Sequence, residues 1–247
     1  MVIPATRYIL LALFITSFLG ACKKGNSSNA NVLLYNASWS LPAVSAYWNG
    51  NNIMANALAQ GQSSGTSQAP YLQVPAGTSL VTLKAGTDTL VDKNIYAPAA
   101  GGNSFLFFDT SMSKSPARVL QLTDDLTPPD TARIKYRFIN FSPDTSAIAD
   151  LWLVNGSTDS LQIKSNIGFV GSMATASSLP SFEVPDFKYR GQAYTIKIKR
   201  SGTDMVLASI PNYVFAVQGV YSIIFSGLST GSGNTGLKLS VLHHVAH

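Results

Sequence analysis

From residue 32 onward, short apolar and β-branched runs recur along the chain, set apart by clusters of Gly, Pro, Asn and Ser. Residues 32–35, 44–48, 80–84 and 105–108 make one series of runs, and 134–139, 149–154, 194–199, 221–225 and 237–242 make a second. Runs this short, bounded by turn formers and repeating at about 8–12 residues, predict the strands of sandwich domains. Tyr194, Ile196 and Ile198 alternate with Thr195, Lys197 and Lys199, so this strand has one dry face and one wet face. Asn49-Gly50 and Asn155-Gly156 each follow a run directly, which predicts tight type I′ turns. No stretch beyond the N-terminal segment keeps the 3.6-residue period of a helix. The pattern predicts an all-β chain.

The second series echoes the first. The segment from Val32 to Ser38 matches that from Arg137 to Ser142 around a hydrophobic–Asn–x–Ser core, with Asn36 opposite Asn140. Ala46-Tyr47-Trp48-Asn49-Gly50 then matches Trp152-Leu153-Val154-Asn155-Gly156, and Leu72-Gln73-Val74-Pro75 matches Phe182-Glu183-Val184-Pro185. Gly86-Thr87-Asp88 matches Gly202-Thr203-Asp204, and the segment from Gly102 matches that from Gly219. Blocks that recur in one order predict two β-sandwich repeats, 31–126 and 131–247, with the proline-bearing stretch 127–130 as a stiff linker.

One segment stands outside this pattern. Arg7 precedes an apolar stretch, residues 8–19, which is shorter than the roughly 20 residues that cross a bilayer. It ends in Leu19-Gly20-Ala21-Cys22, and Cys22 is the chain's one cysteine. The motif resembles the lipobox of bacterial lipoproteins. That resemblance implies a signal peptide over 1–21, a thioether lipid on Cys22 and acylation of the new terminus, with membrane attachment through these chains. Each buried CH₂ contributes about 0.8 kcal/mol, so two or more chains hold where one is marginal. Residues 22–30, rich in Gly, Ser and Asn, then predict a flexible tether. The expected location is the cell envelope, at the outer membrane, on its periplasmic or its surface side.

Composition narrows the function classes. Charged residues make up 12% of the chain, about half the usual share of soluble domains. With 46% hydrophobic residues the chain is not disordered by charge. The net charge of +5 is scattered, with Lys23-Lys24 and the stretch 197–200 as its densest spots, so nucleic acid is not an expected partner.

The tandem hydrophobic–Asn–x–Ser opening, the strand ending in Asn-Gly, the Val-Pro segment and the Gly-aromatic strand together resemble the bacterial domain-of-unknown-function family 4397. The stretch 118–125 also resembles the bridge between that family's repeats. The resemblance implies tandem immunoglobulin-like sandwiches in a secreted or lipid-anchored protein. It implies no catalytic residue. The first repeat departs from the pattern, with Ser45 and Ala46 where the second has Leu151 and Trp152.

Catalytic chemistry is sparse. Gly61-Gln62-Ser63-Ser64-Gly65 has the spacing of a nucleophile elbow, but its Gly/Ser/Gln surroundings read as a flexible loop rather than a strand-to-helix turn. His243, His244 and His247 cluster at the C-terminus and read as a tail. A hydrolase would need a polar cleft joining His243 or His244 to an acid and a nucleophile. Asp124, Asp125 and Asp130 lack the spacing of a Ca²⁺ loop, and Glu183 is the one Glu, so no glycosidase pair is assigned. No metal or cofactor is expected.

What remains is surface. Trp39, Trp48, Trp152, Tyr35, Tyr47, Tyr71 and Tyr96 are many large aromatics for so few charges. Trp48 and Trp152 are the candidate ligand-binding aromatics, with core filling or a contact between the repeats as the competing role. Asp88-Thr89-Leu90, Asp130-Thr131-Ala132 and Asp159-Ser160-Leu161 resemble the Asp-Thr/Ser-hydrophobic acceptor of bacterial O-glycosylation, making Thr89, Thr131 and Ser160 candidates. The expected function is a non-catalytic, lipid-anchored binding or structural module whose partner is an envelope protein or a glycan. An accessory lipoprotein of an outer-membrane uptake complex is the alternative, followed by a hydrolase.

Overall fold

The structure, a computed structural model, describes residues 29–66, 68–110, 118–130, 132–144, 148–156, 159–172, 179–187, 189 and 191–245. Residues 1–28 lie outside these, and with them the predicted signal segment, Cys22 and most of the tether. The described residues are all-β. Strands of the first half are β1 (Asn29–Asn36), β2 (Ala43–Trp48), β3 (Asn51–Asn52), β4 (Leu58–Ala59), β5 (Leu72–Pro75), β6 (Gly77–Ala85), β7 (Asp88–Ala97), β8 (Gly102–Phe108) and β9 (Arg118–Asp124). Those of the second are β10 (Lys135–Asn140), β11 (Ala149–Asn155), β12 (Asp159–Ile167), β13 (Tyr194–Arg200), β14 (Val206–Tyr213), β15 (Val220–Ser226) and β16 (Lys238–Val245).

The strands form four sheets, two in each half. In the first, β5-β1-β8-β9 faces β3-β2-β6-β7, with β4 added beside β2; in the second, β10-β15-β16 faces β12-β11-β13-β14. One pairing scheme recurs in both halves. β1 runs parallel to β8 as β10 does to β15, and β9 and β16 close these sheets antiparallel. β2 pairs antiparallel with β6 and β11 with β13, each continuing into a hairpin.

Two kinds of strand follow from where the core lies. β2 and β13 alternate buried and half-buried positions, as sheets with one covered face require. β8, β10 and β15 are buried at every position, and β1 at nearly every one. Their even-odd sets serve different cores. Val32, Leu34, Phe105 and Phe107 enter the core of the first half, and Phe138, Ile223 and Phe225 that of the second. The opposite sets, including Leu33, Tyr35, Leu106, Phe108, Ile139, Phe141 and Ile224, form a third cluster between the halves. The β5-β1-β8-β9 and β10-β15-β16 sheets are therefore inner layers, and the other two are outer layers.

The hydrophobic–Asn–x–Ser motif terminates the opening strands. Asn36 is fully buried; its Oδ1 accepts from the Ser38 amide, and its Nδ2 donates to the Leu41 and Leu58 carbonyls. Asn140 repeats the turn, accepting from the Ser142 amide and donating to the Ile167 carbonyl. The side-chain amide thus ends the strand and ties it to the neighbouring layer.

The two Asn-Gly pairs differ. Asn49 and Gly50 have φ values of 50° and 81° between the paired Trp48 and Asn51, the two-residue type I′ geometry. Asn155 instead pairs with Asp159 inside the ladder, so the predicted tight turn at 155–156 is not made. The longer loop moves the core-facing set by one position: Trp48 faces the core, whereas Leu151 and Leu153 do so in the second half. In a strand such a slip exchanges the two faces.

Candidate functional site

Trp152 lies at the centre of the outer sheet β12-β11-β13-β14, paired with Gln162 on one side and Lys197 on the other. The alternation in β11 turns Leu151 and Leu153 inward and leaves Trp152 half-buried on the outer face. It borders a depression of about 440 Å³ with Asp150, Gln162, Ser165, Thr203 and Asp204. Lys199 Nζ stands 4.5 Å from the ring centroid and pairs with Asp204 at 2.9 Å, which holds the Asp204 carboxyl below its usual range. Asp150 accepts from the Asn166 amide at 2.8 Å and so is a fixed wall.

Trp48 is not on the surface. It is 2% exposed, enters the first core and meets Phe105 edge-on with centroids 6.1 Å apart. Its ring is unavailable to a ligand, and the expectation that it pairs with Trp152 as a binding aromatic is corrected. The physical reason is the one-residue difference between the hairpins. Tyr35 is also interior and Tyr71 is half-buried, whereas Tyr96 is 61% exposed.

The densest polar chemistry lies between the inner sheets. Asp124 of β9 and Ser104 of β8 meet Arg137 of β10, Ser222 of β15 and His244 of β16, with Tyr71 alongside. Arg137 Nη1 stands 2.7 Å from Asp124 Oδ1, and both side chains are fully buried. Its Nε donates to Ser222 Oγ at 2.7 Å and its Nη2 to Ser104 Oγ at 3.0 Å, while the guanidinium stacks 4.4 Å over Phe182. Asp124 Oδ2 accepts from Tyr71 and Ser104 at 2.7 Å each. Tyr71 and His244 Nδ1 are 2.7 Å apart, as are Ser222 and His244 Nε2.

The proton count closes in one way. An ionised Asp124 only accepts, so Tyr71 donates to it and receives the His244 Nδ1 proton. Nε2 is then bare and takes the Ser222 hydroxyl. Burial is the leading cause that pushes His244 down to about 3, so the ring is neutral. The histidines are therefore no tail: His244 is a buried member of β16, and His243 stacks on Tyr221 at 4.5 Å. His247 lies outside the described residues.

A serine, a histidine and an aspartate thus come together as a hydrolase would need, but not in a cleft. Ser222 and the side chains of His244 and Asp124 have no exposed surface. Tyr71 stands between His244 and Asp124, and Arg137 donates to the very oxygen that would attack. The signal that could have revealed the cluster is Arg137 itself, a charge set between Tyr136 and Phe138 in the run 134–139.

The remaining candidates scatter. The segment with Ser63 is no free loop: Asn36 N donates to Gln62 O, and Ser64 N to Leu34 O, extending the inner sheet beside β1. No helix follows it, so the elbow geometry is absent there. Asp125 pairs with Lys135 at 2.6 Å, which pulls it down to about 2, and Asp130 pairs with Arg133 at 3.6 Å. With Asp124 turned to Arg137, these three carboxylates do not converge. Thr89 and Ser160 are exposed near the starts of β7 and β12. Thr131 lies outside the described residues.

A family model, domain of unknown function DUF4397, matches residues 30–150, which carry β1–β10 and the start of β11. Curated proteins give no match. Among solved structures the chain is similar to one described as "putative polysaccharide binding proteins (DUF1812)" from Bacteroides thetaiotaomicron VPI-5482. The two share 8% identity over 88% of this chain and 98% of that one, with a TM-score of 0.25.

Proposed function

We propose that this chain is a non-catalytic binding module held at the cell envelope by a lipid on Cys22, and that it takes a glycan at Trp152. The observation that carries the reading is the depression around Trp152, where a large aromatic borders amide, hydroxyl and carboxylate groups. A sugar ring asks for that combination, an apolar face to stack on and polar groups for its hydroxyls. The Lys199 ammonium gives way to the sugar and stays paired with Asp204. The sealed Ser222–His244–Asp124 cluster supports the non-catalytic half of the reading, because substrate reaches none of its atoms.

The unique Cys22 after Leu19-Gly20-Ala21 supports the anchor. The recurring pairing scheme supports two copies of one immunoglobulin-like domain, 31–126 and 131–247, joined at 127–130. Retention of the whole chain on insoluble polysaccharides tests the glycan. Trp152→Ala is expected to lower retention tenfold or more at unchanged melting temperature. Unchanged retention overturns the reading. Trp48→Ala is no substitute, because it opens the core.

A further inference from the structure

A second surface feature lies in the first half. β7 and β9 are the edge strands of its outer and inner sheets. Their margins leave a groove of about 400 Å³ bordered by Lys93, Asn94, Tyr96, Arg118 and Gln121 over an apolar floor that includes Val119 and Ile95. The lining holds two cations and no carboxylate. Neither Lys93 nor Arg118 has an ion pair among the described residues. Gln121 Nε2 donates to the Tyr96 carbonyl at 2.7 Å, which fixes the backbone beneath the exposed ring.

We propose that this groove binds an acidic polysaccharide, with uronate carboxylates on Lys93 and Arg118 and a sugar ring on Tyr96. This deepens the binding-module reading by adding a site of its own and a ligand class. A guanidinium grips a carboxylate by two parallel N–H bonds, and an ammonium adds an unoriented charge. Asn94 and the free Gln121 carbonyl oxygen serve hydroxyls. The volume lies within the few hundred Å³ of small-ligand sites. An extended peptide adding to the edge of β7 would compete for the same place. There, however, the Tyr96 carbonyl that would accept from it is already taken by Gln121.

Affinity electrophoresis of the whole chain in gels holding sodium polygalacturonate, with dextran as the neutral comparison, tests the proposal. Polygalacturonate is expected to retard the chain, more strongly at low salt. The Lys93→Gln/Arg118→Gln double variant loses tenfold or more of that affinity and Tyr96→Ala several-fold, while Trp152→Ala keeps it. Lys84→Gln/Lys238→Gln, of equal net charge to the first double variant, retains binding. The proposal is overturned by no retardation in polygalacturonate, by equal loss in the charge-matched control, or by a bound peptide that protects β7 amides from exchange. If Trp152-dependent retention on other polysaccharides survives such a result, the binding-module reading stands without this groove. If both fail, both are wrong.

Discussion

The imidazole of His244 would titrate near 6.5 in water, but here it has no solvent and faces Arg137, Asp124, Tyr71 and His243. Protonation would add a second cation beside Arg137 and remove the lone pair that takes the Ser222 proton. The folded state therefore refuses, down to about pH 3, a proton that the unfolded chain accepts below about 6.5. The sign follows: this contribution is complete above about pH 6.5 and declines as pH falls toward 3, by up to about 1.4 kcal/mol per pH unit. Urea midpoints measured from pH 7 to pH 4 are expected to fall, and His244→Gln to flatten the slope over that window. A slope that the variant leaves intact would place the effect elsewhere. None of this was legible from position. A histidine near the end of a chain reads as tail until the ladder Ser222↔Leu242 carries it between two sheets.

At the scale of elements, the opening strands depend on the Asn that stops them. Asn36→Ala leaves the buried Leu41 and Leu58 carbonyls unpaired and frees the Ser38 amide. Each buried group left unsatisfied costs about 1–3 kcal/mol. A loss of about 3 kcal/mol lowers the melting temperature of a chain this size by about 6–12 °C. Asn140→Ala, which strands the Ile167 carbonyl and frees the Ser142 amide, is expected to cost a similar amount. Circular dichroism melts of both variants check this; negligible shifts would mean water replaces the amides freely.

The strands found from sequence were those with a clear signal: continuous runs such as β8 and β15, alternating ones such as β13. β7, β12 and β14 escaped notice because edge strands are exposed along much of their length, and β14 even admits Pro211. Consecutive apolar residues in β1, β8 and β15 mark strands covered on both faces, and so predict a second layer outside each sandwich. Trp152 could be placed on an outer face by alternation. Trp48 alternates with Ser45 and Tyr47 and shares its face with Val44 and Ala46, which is the inner one.

At the scale of the molecule, the two halves share a seam that is apolar at one end and polar at the other. Leu106, Phe108, Phe141 and Ile224 fill the first, and Arg137, Asp124 and His244 the second. Positions in the two ladders correspond: Ser104 pairs with Leu122 as Ser222 pairs with Leu242. The seam thus resembles an interface between like partners, made asymmetric by an arginine, an aspartate and a histidine. Breaking a buried pair costs more than opening a surface contact. One calorimetric transition is therefore expected for the whole chain, with calorimetric and van't Hoff enthalpies equal. Two resolved peaks would mean that the halves melt apart. The course of β1 has a mechanical consequence. It starts at residue 29 and is held laterally by β5 over 29–32 and by β8 over 31–36. A tug arriving from the N-terminal side acts along its axis, so the flanking bonds share the load in shear instead of opening singly like a zipper. If residues 22–30 are the tether proposed above, the strand that receives its pull is loaded in shear.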